Sequence, residues 1–411
     1  MAIINEPIAP AKSLKRSLNL PLVVLYGLGV TIGAGIYVLV GATAGAAGIY
    51  APLSFVLAAL VMLPSACSFA ELVGRHPLSA GEAAYVRAGF NSHALSVAIG
   101  LMVVCVGTVS AAAICIGSVG YIRQFIDLPG SVLIPLVVLT MSLIAAWGVR
   151  ESVSFAATMT LIEIVGLIVI IGGGFIGAGM LNDNIPTTLP DVPLSQIAFG
   201  VVGGGVLAFF AFIGFEDLVN MAEETESPAT TLPRAIFLTL AISTTLYVLV
   251  AIVAVLNVPV AQLAGSEAPL SLVFERTTGL PTGAISMIAI VATLNGVIIQ
   301  IIMASRVIFG LSRQGSLPAV LGRINGITRT PVLATALVGV SVLLLATAIP
   351  LRGLAEATSQ ITLIIFAFVN LSLIAIKRRG EAAPANTYII QPWIPVVGLL
   401  SCLAFLVAGF L

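Results

Sequence analysis

The chain has 411 residues, of which 59% are hydrophobic and 8% charged, with 17 Lys plus Arg against 17 Asp plus Glu. An ordinary soluble domain carries roughly 25% charged residues, so the composition excludes a soluble protein. A net charge of zero also leaves no basic surface for nucleic-acid phosphates.

About 20 apolar residues cross the hydrocarbon core of a bilayer as a helix, and eleven such spans are predicted. The first runs over 20–47, followed by 51–73, 92–121, 130–149 and 152–179; a second set covers 196–222, 232–256, 282–310, 331–350 and 356–376; the last is 391–411. The predicted fold class is all-α and integral to the membrane. Its parts are an N-terminal segment (1–19), a first five-helix repeat (20–179), a second (196–376) and an eleventh span (391–411).

Lys and Arg collect in cytoplasmic loops. On this topology 14 of the 17 fall on one side, among them Lys15, Arg75, Arg234, Arg313 and Lys377, while Arg123, Arg276 and Arg352 fall on the other. The asymmetry predicts a multi-pass protein of the cell membrane with a cytoplasmic N-terminus and an external C-terminus. The first apolar run exceeds a signal-peptide core of about 7 to 15 residues and is expected to be retained. Cys67, Cys105, Cys115 and Cys402 lie in apolar spans without metal-ligand spacing and read as small core residues. His76 and His93 form no metal pair, and no metal or cofactor is expected. Trp147 and Trp393 sit near span ends, as interfacial belt residues do.

Two spans carry irregularities. The first contains Gly27, Gly29, Gly33 and Gly35, each costing about 1 kcal/mol relative to Ala in a regular helix. Thr31 to Gly35 lies about 18 Å into the span, near the bilayer midplane. The sixth holds Gly203-Gly204-Gly205, then Phe209 to Phe215, then the acids Glu216 and Asp217. Broken backbone is tolerated in a membrane only where protein or an aqueous cavity receives its polar groups. Five spans separate the breaks, and an odd number of crossings inverts direction, as in the inverted repeats of secondary transporters. The half-helix starting near Gly35 would present free N–H groups to a carboxylate, and those ending near Ile32 and Phe212 free carbonyls to a cation. Together they describe a socket for an α-amino acid zwitterion; close helix packing is the alternative reading of the glycines.

Gly33-Ala34-Gly35-Ile36-Tyr37, the run Phe209 to Glu216 continuing into Ala222-Glu223-Glu224-Thr225-Glu226-Ser227-Pro228, and Ala304-Ser305-Arg306 with Arg313-Gln314-Gly315-Ser316-Leu317-Pro318 fall in order on the right spans. With them the chain resembles the amino acid-polyamine-organocation (APC) transporters of leucine-transporter-like fold. Gly81-Glu82-Ala83-Ala84-Tyr85 resembles the family's Gly-Gly-x-Tyr entry to the third span, with Glu82 in place of the second glycine. The resemblance implies a 5+5 inverted repeat plus one extra C-terminal helix, where the family commonly has twelve helices. It implies substrate-carboxylate binding by the N–H groups of Gly33, Ala34 and Gly35, and amino-group binding by carbonyls near Thr31, Ile32, Ala211 and Ile213. Phe210 falls on the external gate, and Glu216 on an acid linked to proton sensitivity in related exchangers. Proton-coupled relatives place a Lys in the fifth span where a sodium ion sits in others; here that position is Glu163.

Glu163 lies about 17 Å deep in its span, where an ionised carboxylate costs about 2.5 to 3.5 kcal/mol. It is a proton-coupling candidate, with a protonated Glu bonded to nearby backbone as the alternative. Glu216 is expected to face the cavity, with Asp217 capping the following half-helix. Thr108, Ser110, Asn295, Gln300 and Asn370 are polar residues that could line the cavity, Thr108 and Asn295 being the preferred candidates, and such residues also bond between membrane helices. The expected function is a secondary transporter of amino acids, coupled to protons or acting by exchange, with sodium left open. A polyamine or organic-cation antiporter is the alternative, and a channel or a membrane enzyme lacks its motifs. The expected partners are an amino acid substrate, a proton and the lipid bilayer. Acids and aromatics near the breaks suit cationic and neutral substrates alike.

Overall fold

A computed structural model of the protein describes residues 16–77, 81–148, 153–178 and 192–409, apart from the side chains of 34, 153–156 and 177–178. The expected contributions of Lys12, Lys15 and Arg150 lie outside the described residues, as does most of segment 1–19.

The described residues are built from helices. In chain order they are α1 (Leu20–Ala47), α2 (Ala51–Arg75), α3 (Gly81–Phe90), α4 (His93–Ile122), α5 (Gly130–Trp147), α6 (Val153–Ala178), α7 (Leu194–Phe210), α8 (Pro228–Asn257), α9 (Val260–Gly265), α10 (Pro269–Thr278), α11 (Gly283–Arg313), α12 (Val332–Ala348), α13 (Leu351–Arg378) and α14 (Ile394–Ala408). A helix pairs every interior backbone group within itself, which suits chains with apolar runs of this length to hydrocarbon. Among the described residues eight helices are long and apolar enough to cross a membrane, and Leu20–Gly33, Val332–Ala348 and Ile394–Ala408 are shorter apolar ones. Together these segments account for the eleven expected spans. The protein is a helical membrane protein.

The span pattern did not resolve α3, α9 and α10. These are helices of 6 to 10 residues in the connections, too short for a membrane-length window. The sixth span also departs from a continuous helix. α7 stops at Phe210, residues 211–214 turn, and Phe215–Met221 follow as a 3₁₀ helix.

α1 runs through the centre of the bundle, against α6, α7, α8 and α11, with Ile32, Ile36, Tyr37, Leu39 and Val40 fully buried. α5 and α6 lie at the periphery, where Leu136, Leu139, Leu143, Val165 and Ile168 are exposed. Leucines on these faces meet lipid without cost, because lipid tails are as apolar as they are. Trp147 and Trp393 are exposed at helix ends.

Polar clusters join the helices at defined heights. Asn370 of α13 accepts from Ser68 at 2.7 Å and donates to Ser65 at 2.8 Å, both on α2. Where α2 and α13 end, the fully buried Glu71 carboxylate receives Arg75 at 2.8 Å, Lys377 at 2.7 Å and the Ile390 N–H at 2.9 Å. The residues before α1 are tied to the segment before α8: Ser17 and Leu18 N–H groups donate to the Glu224 carbonyl at 3.0 and 3.1 Å, and Glu226 N–H donates to the Leu18 carbonyl at 2.9 Å.

Candidate functional site

The first break falls at Gly33, whose φ of −36° and ψ of −105° depart from helical values inside α1. The second ends at Gly214, with φ +123°, a conformation that L side chains rarely adopt. The two breaks press on one another. A Cβ on Gly35 would collide with the Ala211 backbone, and one on Gly214 would sit 2.7 Å from Val30 Cγ1 and 3.1 Å from the Val30 carbonyl oxygen. Glycine at 35 and 214 therefore lets the unwound segments of α1 and α7 cross in contact.

One tyrosine spans both. The Tyr247 hydroxyl of α8 lies 2.7 Å from the Thr31 carbonyl and 2.9 Å from that of Ala211, the last acceptors of the two interrupted helices. A carbonyl oxygen has two lone pairs, so each keeps one for a further donor. Tyr37, one turn beyond the break, donates to the Glu163 carbonyl of α6 at 3.0 Å, and Tyr121 of α4 donates to the Tyr37 carbonyl at 2.5 Å. Neither Tyr37 nor Tyr247 was singled out from sequence for this role. The available signal was a tyrosine inside a membrane-length span.

A narrow cavity, partly open to solvent, lies at the breaks. Thr31, Gly35, Phe210, Ile213, Ser110 and Gln300 are among its lining residues. Ile32 and Ala211 are fully buried beside it, and the Ala34 side chain lies outside the described residues. The buried Thr31 hydroxyl has no hydrogen-bond partner. Thr108 donates to the Val104 carbonyl at 2.7 Å and does not line this cavity; nor does half-buried Asn295. On α4 and α11 the lining comes instead from Ser110 and Ile114, and from Gly296, Ile299 and Gln300.

Glu163 is 1% exposed, and neither of its carboxyl oxygens has a hydrogen-bond partner. It lies within electrostatic reach of the Tyr37 and Tyr247 hydroxyls. The contact between Glu163 and α1 is made by its backbone carbonyl, which accepts from Tyr37.

Glu216 Oε2 accepts from the Gly214 N–H at 2.8 Å. Gly214, not Asp217, stands at the cap of the short 3₁₀ helix, and no side chain caps it. Glu216 and Asp217 line one cavity together with Glu82 of α3. Asp217 thus borders a cavity beside Glu216 in place of the expected capping role. Glu82 lies on a helix between spans, and burial pushes its carboxyl up to about 7, opposed by a backbone hydrogen bond and assisted by the Asp217 carboxylate.

Crossed, interrupted helices around a shared cavity are an arrangement that secondary transporters use. The sequence matches the amino acid permease family over residues 18–411. The chain belongs to this family, within the APC superfamily. It is 30% identical to the branched-chain amino acid permease BcaP of Bacillus subtilis, over 95% of this chain and 88% of that one. It is also 30% identical to the vacuolar cationic amino acid transporter 4 of Arabidopsis thaliana, over 89% of this chain and 64% of that one. A methylthioribose transporter of Bacillus subtilis is 27% identical over 96% of this chain and 89% of its own.

Proposed function

We propose that this permease carries amino acids across the cell membrane by alternating access, with the substrate zwitterion bound at the crossing of the two breaks. Its carboxylate meets the N–H groups of Gly33, Ala34 and Gly35; its ammonium meets the carbonyls near Thr31, Ile32, Ala211 and Ile213; Phe210 closes the external side. The single observation that supports this most is the contact of Gly35 with Ala211, which puts a helix N-terminus and the carbonyl end of the other broken helix on one cavity. The two opposite partial charges there match the two ends of a zwitterion. The names of the relatives, branched-chain and cationic amino acid carriers among them, support the same substrate class.

In this reading residues 20–179 and 196–376 are inverted repeats, with the segment 1–19 cytoplasmic. The orientation rests on the 14-to-3 division of Lys and Arg. Glu163 exchanges a proton during the cycle. A buried carboxylate without hydrogen bonds is stabilised by taking up a proton or a cation. The tyrosines connect that event to the break in α1, so a change of charge at Glu163 reaches the substrate carbonyls through Tyr37 and Tyr247.

The test is uptake of a panel of labelled amino acids into proteoliposomes under an imposed proton or sodium gradient. At least one amino acid should accumulate with the proton gradient, and Glu163→Gln should abolish gradient-driven accumulation while retaining equilibrium exchange. Full proton-driven uptake by Glu163→Gln, or accumulation driven by sodium alone, would remove the coupling role; failure of every amino acid to be bound would remove the zwitterion socket.

A further inference from the structure

A second narrow cavity adjoins the first, sharing Ile213 and Gln300 with it. On α4 it takes Val103 and Val106 where the first takes Ser110 and Ile114, and on α11 it takes Met303 where the first takes Gly296 and Ile299. It is thus displaced towards the start of α4 and the end of α11, the ends that carry Arg87 and Arg313 nearby.

Its polar lining is Glu82, Glu216, Asp217, Gln300 and Thr362. All five offer lone pairs. The Thr362 hydroxyl gives its hydrogen to the Thr358 carbonyl at 2.9 Å, which leaves its oxygen an acceptor. Gln300 is 7% exposed, and its Oε1 has no hydrogen-bond partner. The three carboxyl groups lie within electrostatic reach of one another. No Lys, Arg or His lines the cavity, and none of the three acids joins an ion pair among the described residues. Carboxylates crowded together can relieve their charge with protons, but the Gln300 amide oxygen has no such relief and needs a donor from whatever fills the space. An ammonium supplies three donors, no acceptor and the compensating charge.

We propose that this chamber of Glu82, Glu216, Asp217 and Gln300 is a subsite for a primary ammonium, the distal amino group of an amino acid whose side chain is cationic. The assignment rests on the zwitterion socket proposed above: with the α-carbon at the crossing of the breaks, the side chain passes Ile213 and Gln300 into the chamber. A branched aliphatic side chain would leave the Gln300 amide oxygen without a donor and the acids without a compensating charge, and sites built to hydrogen-bond a substrate group discriminate strongly against analogues lacking it. A free diamine offers the same chemistry without the α-carboxylate, so the two sources are separable.

The experiment is equilibrium binding to the purified protein of L-lysine, of L-norleucine, which has the same carbon chain without the ammonium, and of cadaverine, which has the amines without the carboxylate. L-lysine is expected to bind at least ten-fold more tightly than L-norleucine. Glu82→Gln and Asp217→Asn, each checked for a monodisperse fold by size exclusion, are expected to bring that preference at least five-fold closer to unity. Cadaverine binding with the same dependence on Glu82, in the absence of lysine binding, would support the chamber with a free diamine as its source. Equal affinity for lysine and norleucine, or a lysine preference unchanged in both variants, would overturn the subsite. In that event continued binding of leucine and norleucine would leave the amino acid transporter standing, whereas binding of no amino acid would show that the transporter reading itself had failed.

Discussion

Tyr247 brings one hydroxyl to two helix ends that the sequence places far apart, and this single contact explains how two interrupted helices share a site without leaving their carbonyls bare. Tyr247→Phe keeps the ring, which packs against Phe55 and Phe212, and removes only the donor. A buried group left unsatisfied costs about 1 to 3 kcal/mol. Thermal unfolding of the purified variant should show a loss of that order, together with weaker amino acid binding, because the Thr31 and Ala211 carbonyls lose their anchor. Unchanged stability and affinity would mean that the hydroxyl is not needed there. At this scale the sequence displayed the chemistry of Gly33, Gly35 and Glu163 by their improbability in an apolar span. It displayed Gln300 only as one of several polar residues that could line the cavity, and did not display Tyr247, since a tyrosine or glutamine in a membrane helix has many possible partners and only packing selects one.

Among the elements, α2 and α13 are held together where they end by Glu71, which compensates two cations at once. Side-chain exposure there is 8% for Arg75 and 13% for Lys377, so Glu71→Gln strands two poorly solvated positive charges. Removing one partner of a buried ion pair costs about 3 to 5 kcal/mol. The exposed i,i+4 pair Arg352–Glu356 on α13 provides the contrast, and Arg352→Ala should cost less than about 1 kcal/mol. Thermal denaturation of both variants in the same detergent checks the difference; comparable losses would contradict the assignment of Glu71 as a clamp. The boundaries of most helices were legible within a few residues, because hydrocarbon thickness dictates span length. The stop of α7 at Phe210 was not, since apolar residues continue to Phe215 and nothing in their hydrophobicity distinguishes a helix from a turn.

For the whole molecule, the division of positive charge assigns the loops to two faces. Glu267, paired with Arg123 at 2.6 Å, belongs to the face with three Lys or Arg residues, and Glu381, beside Arg379, to the face with fourteen. In a cysteine-free background, Glu267→Cys in intact cells should react with a membrane-impermeant thiol reagent, and Glu381→Cys should react only after permeabilisation. The reverse pattern would invert the orientation and with it the direction of the acid chamber relative to the cytoplasm.

Sequence alone determined that the chain is a helical membrane protein, where its spans run, and that two of them are interrupted. Those properties follow from local composition, since the bilayer penalises every charged residue and every unpaired backbone group in proportion to what each short stretch contains. Tertiary structure decided which groups meet: Gly35 with Ala211, Tyr247 with both broken ends, and Glu82, Glu216, Asp217 and Gln300 around one cavity. Helix rotation and the unwinding after Phe210 set those meetings, and both depend on packing between segments up to some 200 residues apart.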